Sequence, residues 1–303
     1  MSNIGRITSN LRTDTGLVRD HNEDFVDFWE PTTPDEEANN GWLYLVADGV
    51  GGADAGEVAS QYASERTIAH YLDTSDQPDW GRRILDAMQA ANTDLRQMVL
   101  EKNNNSRMAT TMVTAVIQNN HLFVGNVGDS RGYLWRQGTL QQVTKDQSLV
   151  AKLLEEGAIT AEEARNHPRK NVILYSLGSE NQPKIDLFEL TWETGDILVL
   201  CSDGLTKHVD DAEISQIITA EPPEQATRIL ISLANERGGE DNISVAIVRY
   251  ETDEKKKKQR KRSETAVSAS VPTQYRTLLW LYTIFLSVLQ SILIFLVWFF
   301  LRV

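Results

Sequence analysis

Four aspartates in this chain of 303 residues stand beside apolar runs of the kind that buried strands need. Leu43–Ala47 runs into Asp48-Gly49-Val50-Gly51-Gly52, and Val199-Leu200-Cys201-Ser202 runs into Asp203-Gly204-Leu205. His121–Val124 leads through Gly125-Asn126-Val127-Gly128 to Asp129, and Asp241-Asn242 precedes Ile243–Val248. A carboxylate at a strand end is a good metal ligand, because the strand holds it while a glycine turn leaves room in front. Singly, an aspartate-glycine pair after a strand is far more often a turn. Four such strand ends are hard to explain as four independent turns. Glu23 and Asp24 extend the acidic set. The five histidines show no ligand spacing, so the donors are all oxygen and select hard ions such as Mg²⁺ or Mn²⁺ rather than Zn²⁺. Two such ions bridged by one carboxylate can turn water into hydroxide near neutral pH and clamp a phosphoryl group. An arginine nearby would hold the substrate phosphate bidentately. Arg19, four residues before Glu23, is the candidate, although by itself it reads equally well as a surface charge. No GxSxG or Walker loop is present, and Cys201 lacks the arginine-rich loop of a cysteine phosphatase.

The composition is that of a folded globular protein, with 24% charged and 41% hydrophobic residues. Residues 1–254 hold 21 of the 30 Lys and Arg and 42 of the 43 Asp and Glu. A body so acidic argues against nucleic-acid binding and fits carboxylates gathered around divalent cations. The one cysteine, Cys201, lies in an apolar run and reads as a core thiol; a body that cannot form an internal disulfide suits a reducing compartment.

The elements that must position these residues follow from periodicity. Gly5–Thr8 and Phe25–Trp29 read as strands, and Pro31–Asn40 as an acidic loop. Ala55–Leu72 and Trp80–Leu100 have helical apolar spacing. Thr111–Gln118 and His121–Val127 form a hairpin about Asn119-Asn120; Gly132–Arg136 and Thr139–Val143 form another about Gln137-Gly138. Asp146–Glu156 reads as a short helix, and Thr160-Ala161-Glu162-Glu163 starts a second with a capping box. Asn171–Ser176, Ile185–Leu190, Ile197–Cys201 and Ile243–Tyr250 read as strands, with helices over Asp210–Thr219 and Glu224–Arg237. Strands, then helices, then strands again argue for α+β layers with antiparallel sheets rather than a doubly wound parallel sheet.

At Thr252 the composition changes. Residues 251–276 read as a flexible basic linker, in which seven of the eight positions Lys255–Arg262 are Lys or Arg. Residues 277–301 read as a transmembrane helix. Leu278–Leu301 carries no charge over 24 residues; at ~1.5 Å per residue it spans ~36 Å against a hydrocarbon core of ~30 Å. Trp280, Tyr282 and Trp298 lie near its ends, as interfacial aromatics do. The basic flank places the body in the cytoplasm by the positive-inside rule, and contact with anionic membrane lipid is its simplest role. The expected location is the cell membrane, single-pass, with the catalytic domain cytoplasmic.

The ordered motifs resemble the PPM family of metal-dependent serine/threonine protein phosphatases, most closely its bacterial members, some of which carry a membrane anchor. The resemblance covers roughly residues 5–250. It rests on Val18-Arg19-Asp20-His21-Asn22-Glu23-Asp24, Asp48-Gly49-Val50-Gly51-Gly52 with Gly56-Glu57, Ala109-Thr110-Thr111, Gly128-Asp129-Ser130-Arg131, Thr144-Lys145-Asp146-Gln147-Ser148, Leu177-Gly178, Ser202-Asp203-Gly204-Leu205 and Asp241-Asn242. It implies a catalytic domain over residues 1–250 with an α+β fold: a four-layer α-β-β-α sandwich, two antiparallel sheets flanked by helices. It implies two Mn²⁺ or Mg²⁺ ions per site, with a third, weaker one. By position, Asp48 bridges the two ions, the Gly49 carbonyl binds one, and Asp203 and Asp241 bind the other. Glu23 and Asp24 act through metal-bound waters, Asp129 with Asp203 makes the third site, and Arg19 binds the phosphate. Lys152–Lys170 forms a flap beside the cleft.

Val50 stands where some eukaryotic members have a histidine taken as the general acid, so the acid here is not named by resemblance. Gln147 and Leu174-Tyr175 also depart from frequent residues. The implied activity is hydrolysis of phosphoserine and phosphothreonine in proteins by a hydroxide bridging two ions, opposing a serine/threonine kinase at the membrane. The alternative is a non-catalytic module that binds phosphoproteins at the membrane; intact Asp48, Asp203 and Asp241 count against it. A phosphatase of small phosphate esters is a third reading.

Overall fold

The structure is a computed structural model that describes residues 3–4, 6–51, 53–101 and 108–251. The linker beyond Glu251 and the helix expected over residues 277–301 lie outside the described residues. Among the described residues no helix is long and apolar enough to cross a membrane.

Eleven strands and eight helices are described. The strands are β1 (Ile7–Asp14), β2 (Asp24–Trp29), β3 (Trp42–Val50), β4 (Ala109–Thr110), β5 (Met112–Gln118), β6 (His121–Val127), β7 (Arg131–Arg136), β8 (Thr139–Gln142), β9 (Asp186–Thr191), β10 (Ile197–Cys201) and β11 (Ile243–Tyr250). The helices are α1 (Pro34–Asn40), α2 (Ala53–Asp73), α3 (Trp80–Glu101), α4 (Leu149–Glu155), α5 (Ala161–Arg165), α6 (Asp203–Thr206), α7 (Asp211–Ala220) and α8 (Pro223–Glu236). One antiparallel sheet has the order β1-β11-β10-β7-β8; the other has the order β2-β3-β5-β6-β9, with β4 paired to β3.

The period-2 geometry of strands assigns each side chain to a layer. On β3, Trp42, Tyr44 and Val46 point between the sheets, while Leu43, Leu45 and Ala47 point to α2 and α3. On β11, Ala246, Val248 and Tyr250 face inward, while Ile243, Val245 and Ile247 face α6–α8. Both faces are covered, so these strands are apolar throughout rather than alternating. The result is the expected arrangement of two antiparallel sheets flanked by helices. The Gln137-Gly138 turn is left-handed at both residues, at φ 50° and 91°, as type I′ requires, whereas in the Asn119-Asn120 turn only Asn119 is left-handed, at φ 54°.

Four local readings are corrected. Residues 34–40 form α1 rather than loop: Thr33 and Glu36 make a reciprocal capping box, and Pro34 supplies a preset φ at the first turn. β1 extends to Asp14 because it pairs along its whole length with β11. The helix expected from Asp146 begins at Leu149, where the Ser148 hydroxyl caps it. Asn171–Ser176 is not a strand; Ile173 makes only an isolated bridge to Ser148, and the Leu174 N–H donates to the Gln147 carbonyl. α6 went unread because it is a single turn.

Leu198 is fully buried between the sheets. Leu198→Ala should cost about 2–5 kcal/mol, measured as a lower urea midpoint with an unchanged slope.

Candidate metal centre

Strand direction within each sheet, with the short turn that joins β6 to β7, brings the acidic residues to one place. β2, β5, β7 and β11 begin at the end of the sandwich where β1, β3, β6 and β10 finish, as their antiparallel registers require. Asp24 opens β2, and Asp48 lies near the end of β3. They are register partners across the pair. Like charges directly opposite weaken a sheet, so this pairing needs compensation from elsewhere.

Part of it comes from the other sheet. The Ser202 hydroxyl donates to Asp24 Oδ2 at 2.7 Å, and the Ser244 N–H donates to Ser202 Oγ at 3.0 Å. The backbone of Asp48 is held as firmly. Its N–H donates to Thr111 Oγ1 at 3.3 Å, and its carbonyl accepts from the Thr111 N–H and the Thr110 hydroxyl, both at 2.9 Å. Asp129 sits between β6 and β7. The Gln147 Oε1 accepts from the Gly128 N–H at 2.9 Å, and the Gln147 Nε2 donates to Asp186 Oδ2 at 2.8 Å, which fixes that turn to β9.

The loop carrying Arg19 is tied down by Asn242. Asn242 Oδ1 accepts from the Glu23 N–H at 2.8 Å, and its Nδ2 donates to the carbonyls of Thr15 at 2.8 Å and His21 at 2.9 Å. One amide thus joins both ends of the loop to the start of β11. Arg19 Nη2 then lies 2.8 Å from Asp241 Oδ1. Two glycines allow the segments to approach this closely. A Cβ on Gly204 would lie 2.0 Å from the Asn242 carbonyl oxygen, and one on Gly49 would lie 2.3 Å from that of Gly56 and 2.6 Å from that of Glu23.

Every acidic residue singled out in the sequence therefore comes to this end, with Arg19 beside them. Their electrostatics are unfavourable without a cation. Burial, then repulsion from Asp24, Asp203, Asp129 and Asp241, pushes the Asp48 carboxyl well above its ordinary range. Burial raises Asp24 and Asp129 to about 7, with Asp203 adding repulsion in both cases. Asp203 is also raised by burial, against the opposing pull of Lys207, and Glu23 is raised by burial. Asp129 Oδ1 and Asp203 Oδ1 are buried with no hydrogen-bond partner in the protein. Oxygen-only donors, some left without partners, fit hard divalent ions such as Mn²⁺ or Mg²⁺.

Among the described residues, no three carboxylate, imidazole or thiolate groups stand close enough together to hold an ion. Side-chain cations lie between them instead: Lys207 Nζ is 2.7 Å from Asp203 Oδ2 and 2.7 Å from Asp241 Oδ2. Lys207 was not singled out in the sequence. Its signal was the spacing of four from Asp203, which puts both side chains on one face only once α6 is recognised. Ser202, Thr110, Thr111, Asn242 and Gln147 carried no positioning role in the sequence reading either. Cys201 is a buried core thiol, pushed up to about 12 by burial.

Comparison with known proteins gives consistent matches. A family model described as Protein phosphatase 2C matches residues 21–237. The serine/threonine phosphatase stp of Listeria monocytogenes serovar 1/2a is 36% identical over 252 residues, covering 81% of this chain and 96% of that protein. The crystal structure of the Mycobacterium tuberculosis serine/threonine phosphatase PstP/Ppp has a TM-score of 0.72 and 34% identity, over 81% of this chain and 99% of that one. The catalytic domain of serine threonine protein phosphatase PstP, solved in complex with 2 manganese ions, has a TM-score of 0.69 and 34% identity, with the same coverage of 81% and 99%.

Asp24 and Asp129 hold their protons up to about 7 when folded, whereas an unperturbed aspartate releases its proton near 3.8. Between those values the folded state binds more protons than the unfolded state, so ion-free stability falls as pH rises. Thermal unfolding in EDTA should show a melting temperature that drops between about pH 4 and pH 7. Saturating Mn²⁺ should recover it at the upper end, since bound cations replace the protons. A flat profile in EDTA would contradict the burial of these carboxylates.

Proposed function

This chain belongs to the protein phosphatase 2C (PPM) family, and we propose on that premise that it hydrolyses phosphoserine and phosphothreonine in proteins with two Mn²⁺ or Mg²⁺ ions. The observation that carries the reading is the set of buried, oxygen-only carboxylates at one end of the sandwich, with an arginine at its rim.

When bound, the ions supply Lewis acidity toward the phosphoryl oxygens and lower the pKa of water in contact with them. Asp48, placed between Asp24 on one sheet and the turns of the other, is the residue best sited to be shared by two ions. The Gly49 carbonyl would complete one position; Asp203 and Asp241 would hold the second ion, and Asp129 with Asp203 a third, weaker one. Glu23 and Asp24 would act through water held by the ions. Arg19 binds the substrate phosphate. Its side chain is 49% exposed, so the guanidinium can turn from Asp241 to a phosphate while Asn242 holds its loop. The attack is a single displacement by water at phosphorus: the new P–O bond forms as the bond to the serine or threonine oxygen breaks, and a proton passes to the leaving oxygen. No side chain becomes phosphorylated.

The basic run 255–262 and the uncharged stretch 278–301 support a single-pass anchor in the cell membrane with the catalytic domain in the cytoplasm. A serine/threonine kinase and its substrates at the same membrane are the natural opponents and partners, because anchoring raises their effective concentration.

The full-length chain should release phosphate from a phosphothreonine peptide with Mn²⁺ and lose turnover in EDTA, in Asp48→Asn and in Asp241→Asn. Arg19→Ala should lower kcat/KM by about tenfold to a hundredfold, as loss of a charge-assisted contact to phosphate does. Persistent turnover in EDTA would refute the metal-dependent reading. In cell fractionation the chain should sediment with membranes, and deletion of residues 277–301 should release it; a soluble parent would refute the anchor.

A further inference from the structure

Lys207 sits where the proposed second ion needs its ligands. The Lys207 N–H donates to the Asp203 carbonyl at 2.9 Å, closing the single turn of α6 and putting the two side chains on one face. The ammonium reaches back to Asp203 Oδ2 and across to Asp241 Oδ2, on the segment that leads into β11, at 2.7 Å each. Its side chain is only 26% exposed, and those of Asp203 and Asp241 are 21% and 20% exposed. Asp241 Oδ1 is taken by Arg19. Asp203 Oδ1 is buried with no partner in the protein. Every other carboxylate oxygen of this pair therefore faces a side-chain cation.

An isolated lysine–aspartate pair in water contributes little. Here one ammonium bridges two partly buried carboxylates that repel one another, and removing it would leave, among the described residues, Asp203 without a side-chain cation in contact and Asp241 with Arg19 alone. A divalent ion would need those same oxygens, at about 2.0–2.6 Å. The ammonium and the ion cannot occupy the position together.

We propose that Lys207 is a tethered counter-ion that fills the Asp203–Asp241 position in the ion-free protein and must withdraw before an ion binds there. It holds the empty site together and sets a lower affinity for the second ion than the carboxylates alone would give. Arg19 plays the lesser part, since it touches only Asp241 and lies half exposed. The inference rests on the metal reading above, because only a metal would compete for these oxygens. It makes occupancy of the second position the step that follows cellular Mn²⁺ or Mg²⁺ supply, while the position around Asp48 is not opposed by lysine.

The test is Mn²⁺ binding by isothermal calorimetry, and thermal unfolding with and without Mn²⁺, on the full-length parent, Lys207→Met, Lys207→Gln and Lys207→Arg. In the Met and Gln variants the dissociation constant of the second Mn²⁺ to bind should fall by about tenfold, the scale of one lost charge-assisted contact. Their melting temperatures in EDTA should fall below the parent's, and the rise on adding Mn²⁺ should be larger. Lys207→Arg keeps the charge and should stay near the parent in both. Two variants of different shape guard against a local packing defect. Unchanged or weaker Mn²⁺ affinity in both neutral variants would overturn the role of Lys207 while leaving the metal reading intact. Failure of the folded parent to bind Mn²⁺ at all would overturn the metal reading and this inference with it.

Discussion

Repulsion among buried carboxylates governs the working end of this molecule. Asp24 and Asp48 face each other across a strand pair, and Asp129, Asp203 and Asp241 add to the same field. Unpaired anions at low dielectric are costly unless protons, cations or hydrogen bonds offset them. The protein uses all three. Protons are retained near neutral pH on Asp24 and Asp129. Lys207 and Arg19 lie on Asp203 and Asp241. Ser202 donates to Asp24. Each device is one that a bound divalent ion would displace or relieve, so the local instability and the capacity to bind ions have one cause.

The sandwich makes that instability tolerable. Three apolar layers, one between the sheets and one under each helical face, hold the strands whose ends carry the acids. The acids sit at strand ends, so their repulsion acts on turns rather than on the paired interior. Those turns are pinned by side chains that take no part in the chemistry. Asn242 ties the Arg19 loop, Gln147 ties the Asp129 turn, and Thr110 with Thr111 secures the Asp48 carbonyl.

Much of this was legible from residue order. The apolar runs before Asp48 and Asp203 are strands because both of their faces are buried, whereas the pairing of Asp48 with Asp24 needed the β2–β3 register. The long amphipathic helices α2 and α3 were legible for the same reason, an extended periodic stripe. What escaped depended on short range or on distance. α1 is written in the Thr33-Pro34-Asp35-Glu36 capping signal, which its acidic composition masked. α6 is one turn, too short for any periodicity, and with it went the spacing that pairs Lys207 to Asp203. Residues 171–176 have the apolar content of a strand but no neighbouring edge to pair with. The roles of Asn242 and Gln147 needed the partners themselves, which lie 219 and 39 residues away in the chain.

The clamp made by Asn242 also bears on how the molecule comes into being. Its partners, Thr15, His21 and Glu23, are among the first residues to leave the ribosome, and Asn242 opens the last strand of the body. β11 inserts between β1 and β10, so the sheet itself stays incomplete until that strand arrives. Contacts of such sequence separation are slow to form, since the chain between them must be closed before they contribute. A nascent chain can therefore carry Asp48, Asp129 and Asp203 and still have no assembled site. Assembly of the site waits on the body's last strand, and a chain stopped short of β11 carries these acids without the clamp that Asn242 supplies.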